Sequence, residues 1–81
     1  MKVTSIFEEK DYGSIIFNFR KIIDSKGITR NRLQKLADLR YETVKRLYDG
    51  DILYLDVKVL CKFCYVMNCD ISDVMEYKRV D

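Results

Sequence analysis

With 81 residues, the chain has enough material for one modest core, which excludes a multidomain enzyme. Hydrophobic residues at 48%, charged residues at 35%, three Gly and no Pro describe a compact, mainly helical chain and exclude a disordered tail. The net charge of +2 conceals an uneven distribution: residues 1–19 carry −1, residues 20–46 carry +6 from nine Lys/Arg against three acids, and residues 47–81 carry −3. A local cluster of cations is what a polyanion rewards, whatever the total charge. A solvated helix face is the competing explanation, and the position of the charges must decide between them.

No run approaches the roughly 20 apolar residues of a membrane helix, and the start MKVTSIFEEKDYG lacks the apolar stretch of a signal peptide. The expectation is a cytoplasmic protein with no membrane partner. Cys61, Cys64 and Cys69 are odd in number and clustered, which reads as reduced thiols. Their C-x2-C spacing has no His to complete a tetrahedral zinc site, so neither metal nor cofactor is expected. The lack of His also removes the commonest general base, and no phosphate loop or nucleophile elbow is present. Glu8, Glu9, Asp49 and Asp51 flank turns and read as solvated carboxylates. No catalytic residue is assigned, and the chain is not read as an enzyme.

Along the chain, residues 1–17 hold KVTSIF and SIIFNF, β-branched and aromatic runs that suit two short strands, or one strand and an arm. From Asn18, a candidate cap, Phe19, Ile22 and Ile23 recur at helical spacing until Gly27 stops the first helix. Thr29 caps a second helix through Ala37 with Leu33, Leu36 and Ala37 as its buried stripe. After a break at Asp38, Val44, Leu47 and Tyr48 define a third helix over residues 40–48, closed by Asp49, Gly50 and Asp51. Residues 52–55 form an apolar connector. Asp56 then caps a fourth helix with Val57, Leu60, Phe63, Cys64 and Met67 on one stripe, which makes Cys64 a small core residue. Asp70 or Ser72 caps a last short turn from Ile71, and Glu76 to Val80 read as extended. The division is an arm or strands over 1–17, a helical domain over 18–75 and an extended tail over 76–81. The class is all-α with five helices and room for short strands at both termini.

The second and third helices, separated by a short break, have helix-turn-helix proportions. Leu33, Leu39, Val44 and Leu47 would face inward together and fix the crossing angle. Arg40, Tyr41, Glu42, Thr43, Lys45 and Arg46 are then left outward, and these are side chains that can read a major groove. Arg reaches guanine O6/N7, Glu accepts from cytosine N4, and Thr or Tyr offers a hydroxyl and an apolar face.

The segments GITRNRLQKLADLRYETVKRLYDG and LDVKVLCKFCYVMNCDISDVMEY resemble the small phage-repressor and Cro-like helix-turn-helix regulators of the xenobiotic-response-element type, over about residues 18–78. The second segment is the more specific, with helix, Asn-Cys-Asp turn and final Glu-Tyr in the same order. The resemblance implies a compact five-helix repressor-like domain, sequence-specific binding of a double-stranded DNA operator through the third helix, and commonly a homodimer. Residue by residue, it implies base contacts from Tyr41, Glu42, Thr43 and Arg46, and phosphate contacts from Arg30, Arg40 and Lys45. Arg32 and Lys35 fit a solvated surface equally well.

Three departures from the family pattern bear on the site, the first two being Gln34 where Ala is usual and Asp38 where Gly is usual in a left-handed turn. Arg40 also replaces the usual Ser/Thr cap. Val59, Tyr65, Val66 and the terminal runs SIIF and EYKRV are candidate dimer contacts, and the terminal runs could equally pair within one chain. The alternative reading is a protein interaction module, antitoxin-like or an adaptor, whose basic face meets an acidic protein. No small-molecule ligand is expected.

Overall fold

A computed structural model describes residues 11–80. The elements are β1 (Ser14–Phe17), α1 (Phe19–Ser25), α2 (Arg30–Ala37), α3 (Tyr41–Asp49), α4 (Val57–Met67), α5 (Ile71–Val74) and β2 (Met75–Lys78). The expected all-α class with five helices and short terminal strands is therefore the observed one. The strand expected from KVTSIF, and with it Glu8 and Glu9, lies outside the described residues. No described helix is long and apolar enough to cross a membrane.

Local chemistry sets most of the helix ends. Thr29 Oγ1 accepts from the Arg32 N–H at 3.1 Å, and Asp56 Oδ1 from the Lys58 N–H at 2.7 Å, each satisfying an orphan donor of a first turn. Asn18 departs from expectation: it occupies the cap position of α1 but makes no side-chain cap bond. Its Nδ2 donates instead to the Asp73 carbonyl at 3.3 Å, while its backbone N–H donates to the Val74 carbonyl at 2.6 Å. Asn18 thus joins the two ends of the domain, a use that its local sequence does not announce. At the far end of α4, Asn68 turns left-handed at φ 52°, and Cys69 N–H bonds back to the Cys64 carbonyl at 3.1 Å.

The buried core is Phe19, Ile23, Leu33, Ala37, Val44, Leu47, Leu60, Phe63, Met67 and Val74, and Phe19 and Phe63 meet edge to face at 4.9 Å. Two residues expected in buried stripes lie outside it. Leu36 is 48% exposed, because Leu33 and Ala37 form the buried side of α2 and leave Leu36 on its flank. Val57 is 72% exposed, because it is the first residue of α4, beside its cap and beyond the reach of the core.

The terminal strands pair with each other within the chain. β1 runs antiparallel to β2 with Ser14 opposite Lys78, Ile15 opposite Tyr77, Ile16 opposite Glu76 and Phe17 opposite Met75. Gly13, at φ 90°, leads into this ribbon, and a Cβ there would overlap the Lys78 carbonyl oxygen.

Candidate functional site

The turn between α2 and α3 is made by Asp38 at φ 52°, a left-handed conformation that costs a non-Gly residue some stability. The N–H groups of Asp38 and Leu39 both turn back to the Gln34 carbonyl, and Lys62 Nζ of α4 donates to the Asp38 carbonyl at 3.0 Å. Gln34 is half-buried and does not displace the contact, because Leu33, Ala37, Val44 and Leu47 are buried behind it and Leu39 packs partly against them. Of the inward set read from the sequence, Leu33, Val44 and Leu47 are buried and Leu39 partly so, and Ala37 joins them.

Arg40 occupies the cap position of α3 with no side-chain cap bond. Helical geometry advances about 100° per residue, so with Val44 and Leu47 buried, Glu42, Lys45, Arg46 and Asp49 share the solvent side. Tyr41, 47% exposed, lies on one flank, and Thr43, half-buried, on the other. Among the described residues, the side chains of Glu42 and Arg46 have no hydrogen-bond or ion-pair partner. Both stand open to an incoming molecule.

The remaining cations are arranged unevenly. Lys45 Nζ pairs with Asp49 Oδ2 at 3.0 Å, and this hydrogen bond, then the carboxylate charge itself, raises the Lys45 pKa above its ordinary value. Asp49, read from the sequence as a helix terminator and a solvated carboxylate, is thus part of the exposed face and takes up one of its positive charges. Arg30, the first residue of α2, holds its guanidinium over the Tyr48 ring, 5.1 Å from the centroid. The structure brings Arg30 and Lys45 near enough for their charges to oppose one another. Arg40 lies apart from them, on the other side of α3.

On that side, a groove of about 760 Å³ runs between α3 and the connector to α4. Its lining includes Arg40, Thr43, Arg46 and Lys62, the carboxylates of Asp38, Asp51 and Asp56, and the apolar side chains of Leu39, Leu47, Ile52 and Val59. Ile52 and Leu55 pack against the core, whereas Leu53 and Tyr54 between them are 90% and 94% exposed. Of the candidate dimer contacts, Val59 and Val66 are partly buried against the core and Tyr65 is 88% exposed.

The cysteines do not form a ligand set. Cys61 is exposed, while Cys64 packs against the core and meets Cys69 at the end of α4. Burial, then the neighbouring Cys64, pushes the Cys69 thiol up to about 11. Among the described residues no group of three or more His, Cys, Asp or Glu is gathered to hold a metal.

The sequence reading missed Tyr48 as anything beyond a stripe residue. Its hydroxyl donates to Asp24 Oδ1 at 2.9 Å, and Arg20 as well as Arg30 lies over its ring. These partners are 18 to 28 positions away in the chain, so no local spacing could have shown the arrangement.

Compared with known proteins, residues 18–79 match the model of the Cro/C1-type HTH DNA-binding domain. No curated protein sequence matches the chain. Among solved structures, the chain is similar to the transcriptional regulator VanUg, at 20% identity and a TM-score of 0.66, over 86% of this chain and 92% of that one. At that identity the likeness speaks for the fold.

Proposed function

Since the chain belongs to the Cro/C1-type helix-turn-helix DNA-binding domains, we propose that it is a transcriptional regulator that recognises a specific duplex sequence by laying α3 in the major groove. The observation that supports this most is the face of α3, where Glu42 and Arg46 project unpaired beside Tyr41 and Thr43. In this reading these four meet base edges, with Arg46 suited to guanine and Glu42 to cytosine. Arg30, Arg40 and Lys45 meet phosphates, which fix register and carry no sequence information. Residues 18–75 form the binding unit, flanked by 1–17 and 76–81.

One reader of this size spans about half an operator, so specific affinity calls for a homodimer related by a twofold axis. The exposed Leu53, Tyr54 and Tyr65 offer apolar area for such a contact. Val59 and Val66, partly buried against the core, leave less apolar area for it.

Selection of bound fragments from random duplex DNA tests the reading. It should return a paired motif whose half-site spacing gives the dimer geometry. Arg46→Ala or Glu42→Gln should change the preferred bases, and Arg30→Ala should weaken all sequences alike. Absence of any enriched sequence, together with equal losses from all three substitutions, would leave only nonspecific binding. Capture of one stoichiometric acidic protein in the same conditions would favour an adaptor instead.

A further inference from the structure

We propose that Arg20 is a second phosphate-binding arginine beside Arg30, and that Tyr48 is the positioning residue that holds both for contact with a DNA backbone. This rests on the DNA-binding reading above and names side chains to which that reading gave no role.

The two guanidinium groups come from different helices but share one aromatic ring, lying 4.9 and 5.1 Å from the Tyr48 centroid. Their central carbons therefore stand within about 10 Å of each other by simple geometry. Two like charges so placed repel, and the fold offsets this in two ways. The ring presents its negative π density to both cations. Asp24 supplies one carboxylate, with Oδ1 accepting from the Tyr48 hydroxyl at 2.9 Å and Oδ2 lying 3.7 Å from Arg20 Nε. One carboxylate against two guanidiniums leaves an excess positive charge in a small area, on side chains that remain exposed. A phosphate diester chain is the class of ligand that such an arrangement rewards, since each planar guanidinium can offer two parallel donors to it.

The ring is itself fixed. Val44 and Leu47, on the preceding turn and beside it, are buried, Tyr48 packs partly against the core, and its hydroxyl is tied across to α1. An arginine resting on an immobile ring has less rotamer freedom to surrender on binding than one in open water. Because Tyr48 lies on α3, the ring also sets the two arginines at a constant distance from Glu42 and Arg46. Backbone clamp and base-reading face would then dock as one rigid unit.

The test is binding of a mixed-sequence duplex to the full chain, followed by fluorescence anisotropy across a series of KCl concentrations. Wild type should show a steep linear fall of log K with log salt. Arg20→Ala should make that slope shallower by about 0.9, the loss of one phosphate contact, and by the same amount on any duplex. Tyr48→Leu should lower affinity further and flatten the slope by about twice that, with both arginines released. Tyr48→Phe keeps the ring and should retain most of the slope, which separates loss of positioning from loss of fold. Circular dichroism confirms that each variant is helical. An unchanged slope for Arg20→Ala in a wild-type background that binds DNA would overturn the inference and leave the function standing. A wild-type chain that binds no duplex at any salt would overturn both.

Discussion

Lys62 of α4 donates a hydrogen bond from Nζ to the backbone carbonyl of Asp38, at 3.0 Å, and so ties the fourth helix to the left-handed turn that sets α2 against α3. The partners are 24 residues apart, and the Lys62 ammonium also lies 4.0 Å from the Asp38 carboxylate. The turn that usually calls for Gly is held here by an outside cation as well as by its own Asp.

Relief of strain at that turn should therefore be measurable. Asp38→Gly removes the left-handed penalty while the carbonyl that Lys62 meets is kept, and should raise stability by about 0.5 kcal/mol. Asp38→Val places a β-branched residue in the same conformation and should cost about 1–2 kcal/mol. Urea unfolding of the three proteins gives the ranking, and a Val variant as stable as wild type would contradict the geometry.

Asp49 neutralises Lys45 on the exposed face of α3. Asp49→Asn should free that ammonium, tighten binding to any duplex severalfold and steepen the salt dependence by up to about 0.9 in slope, with the base preference unchanged. Titration of one duplex at several salt concentrations checks this, and a shift in the selected motif would mean that Asp49 itself reads bases.

The entry to the β-ribbon leaves no room for a side chain. Gly13→Ala combines a left-handed φ with overlap on the Lys78 carbonyl, so β1 and β2 should separate or shift. The expected reading is a loss of at least about 1 kcal/mol in thermal or urea unfolding. Amide exchange should then quicken in Ile15 and Tyr77 while α2 and α3 keep their protection.

The thiols should differ in reactivity. Cys61 is exposed, whereas Cys69 is held protonated by burial and by Cys64, with its pKa at about 11. Iodoacetamide at pH 8 should label Cys61 first and Cys69 last, as mass spectrometry of timed samples would show. A folded-state pKa above the ordinary 9.0 means that the folded protein holds this proton more tightly than the unfolded chain. That contribution to stability is complete below pH 9 and is lost as pH rises through 11, so alkaline unfolding should steepen across that window. The Lys45 pKa is also raised, by Asp49, and its contribution likewise disappears only above the ordinary lysine range.

Cys69→Ala separates these two sources. It should remove the part of the decline that begins near pH 9 and leave the later lysine part, as followed by helicity against pH.

How much of this was legible beforehand follows from the range of the forces involved. Helix caps and stops are local, so Thr29, Asp56 and Gly27 announce themselves within three or four residues, and the apolar period separates Leu33, Val44 and Leu47 from the outward Glu42 and Arg46. Periodicity puts Leu36 and Val57 on the buried stripes because it gives a direction around a helix, not the extent of what it packs against. The sequence leaves pairing of the terminal runs within or between chains undecided for the same reason, since both arrangements satisfy the same backbone groups.

The sequence by itself determined the helical order, the inward stripe and the basic middle third, because each depends on residues within a turn or two of one another. Only the tertiary structure decided that Lys62 holds Asp38 and that Arg20 and Arg30 meet on Tyr48. Those relations depend on distances set by helix crossing and side-chain rotamers. A charge's partner is chosen in three dimensions, where contacts across the fold compete with contacts along a helix.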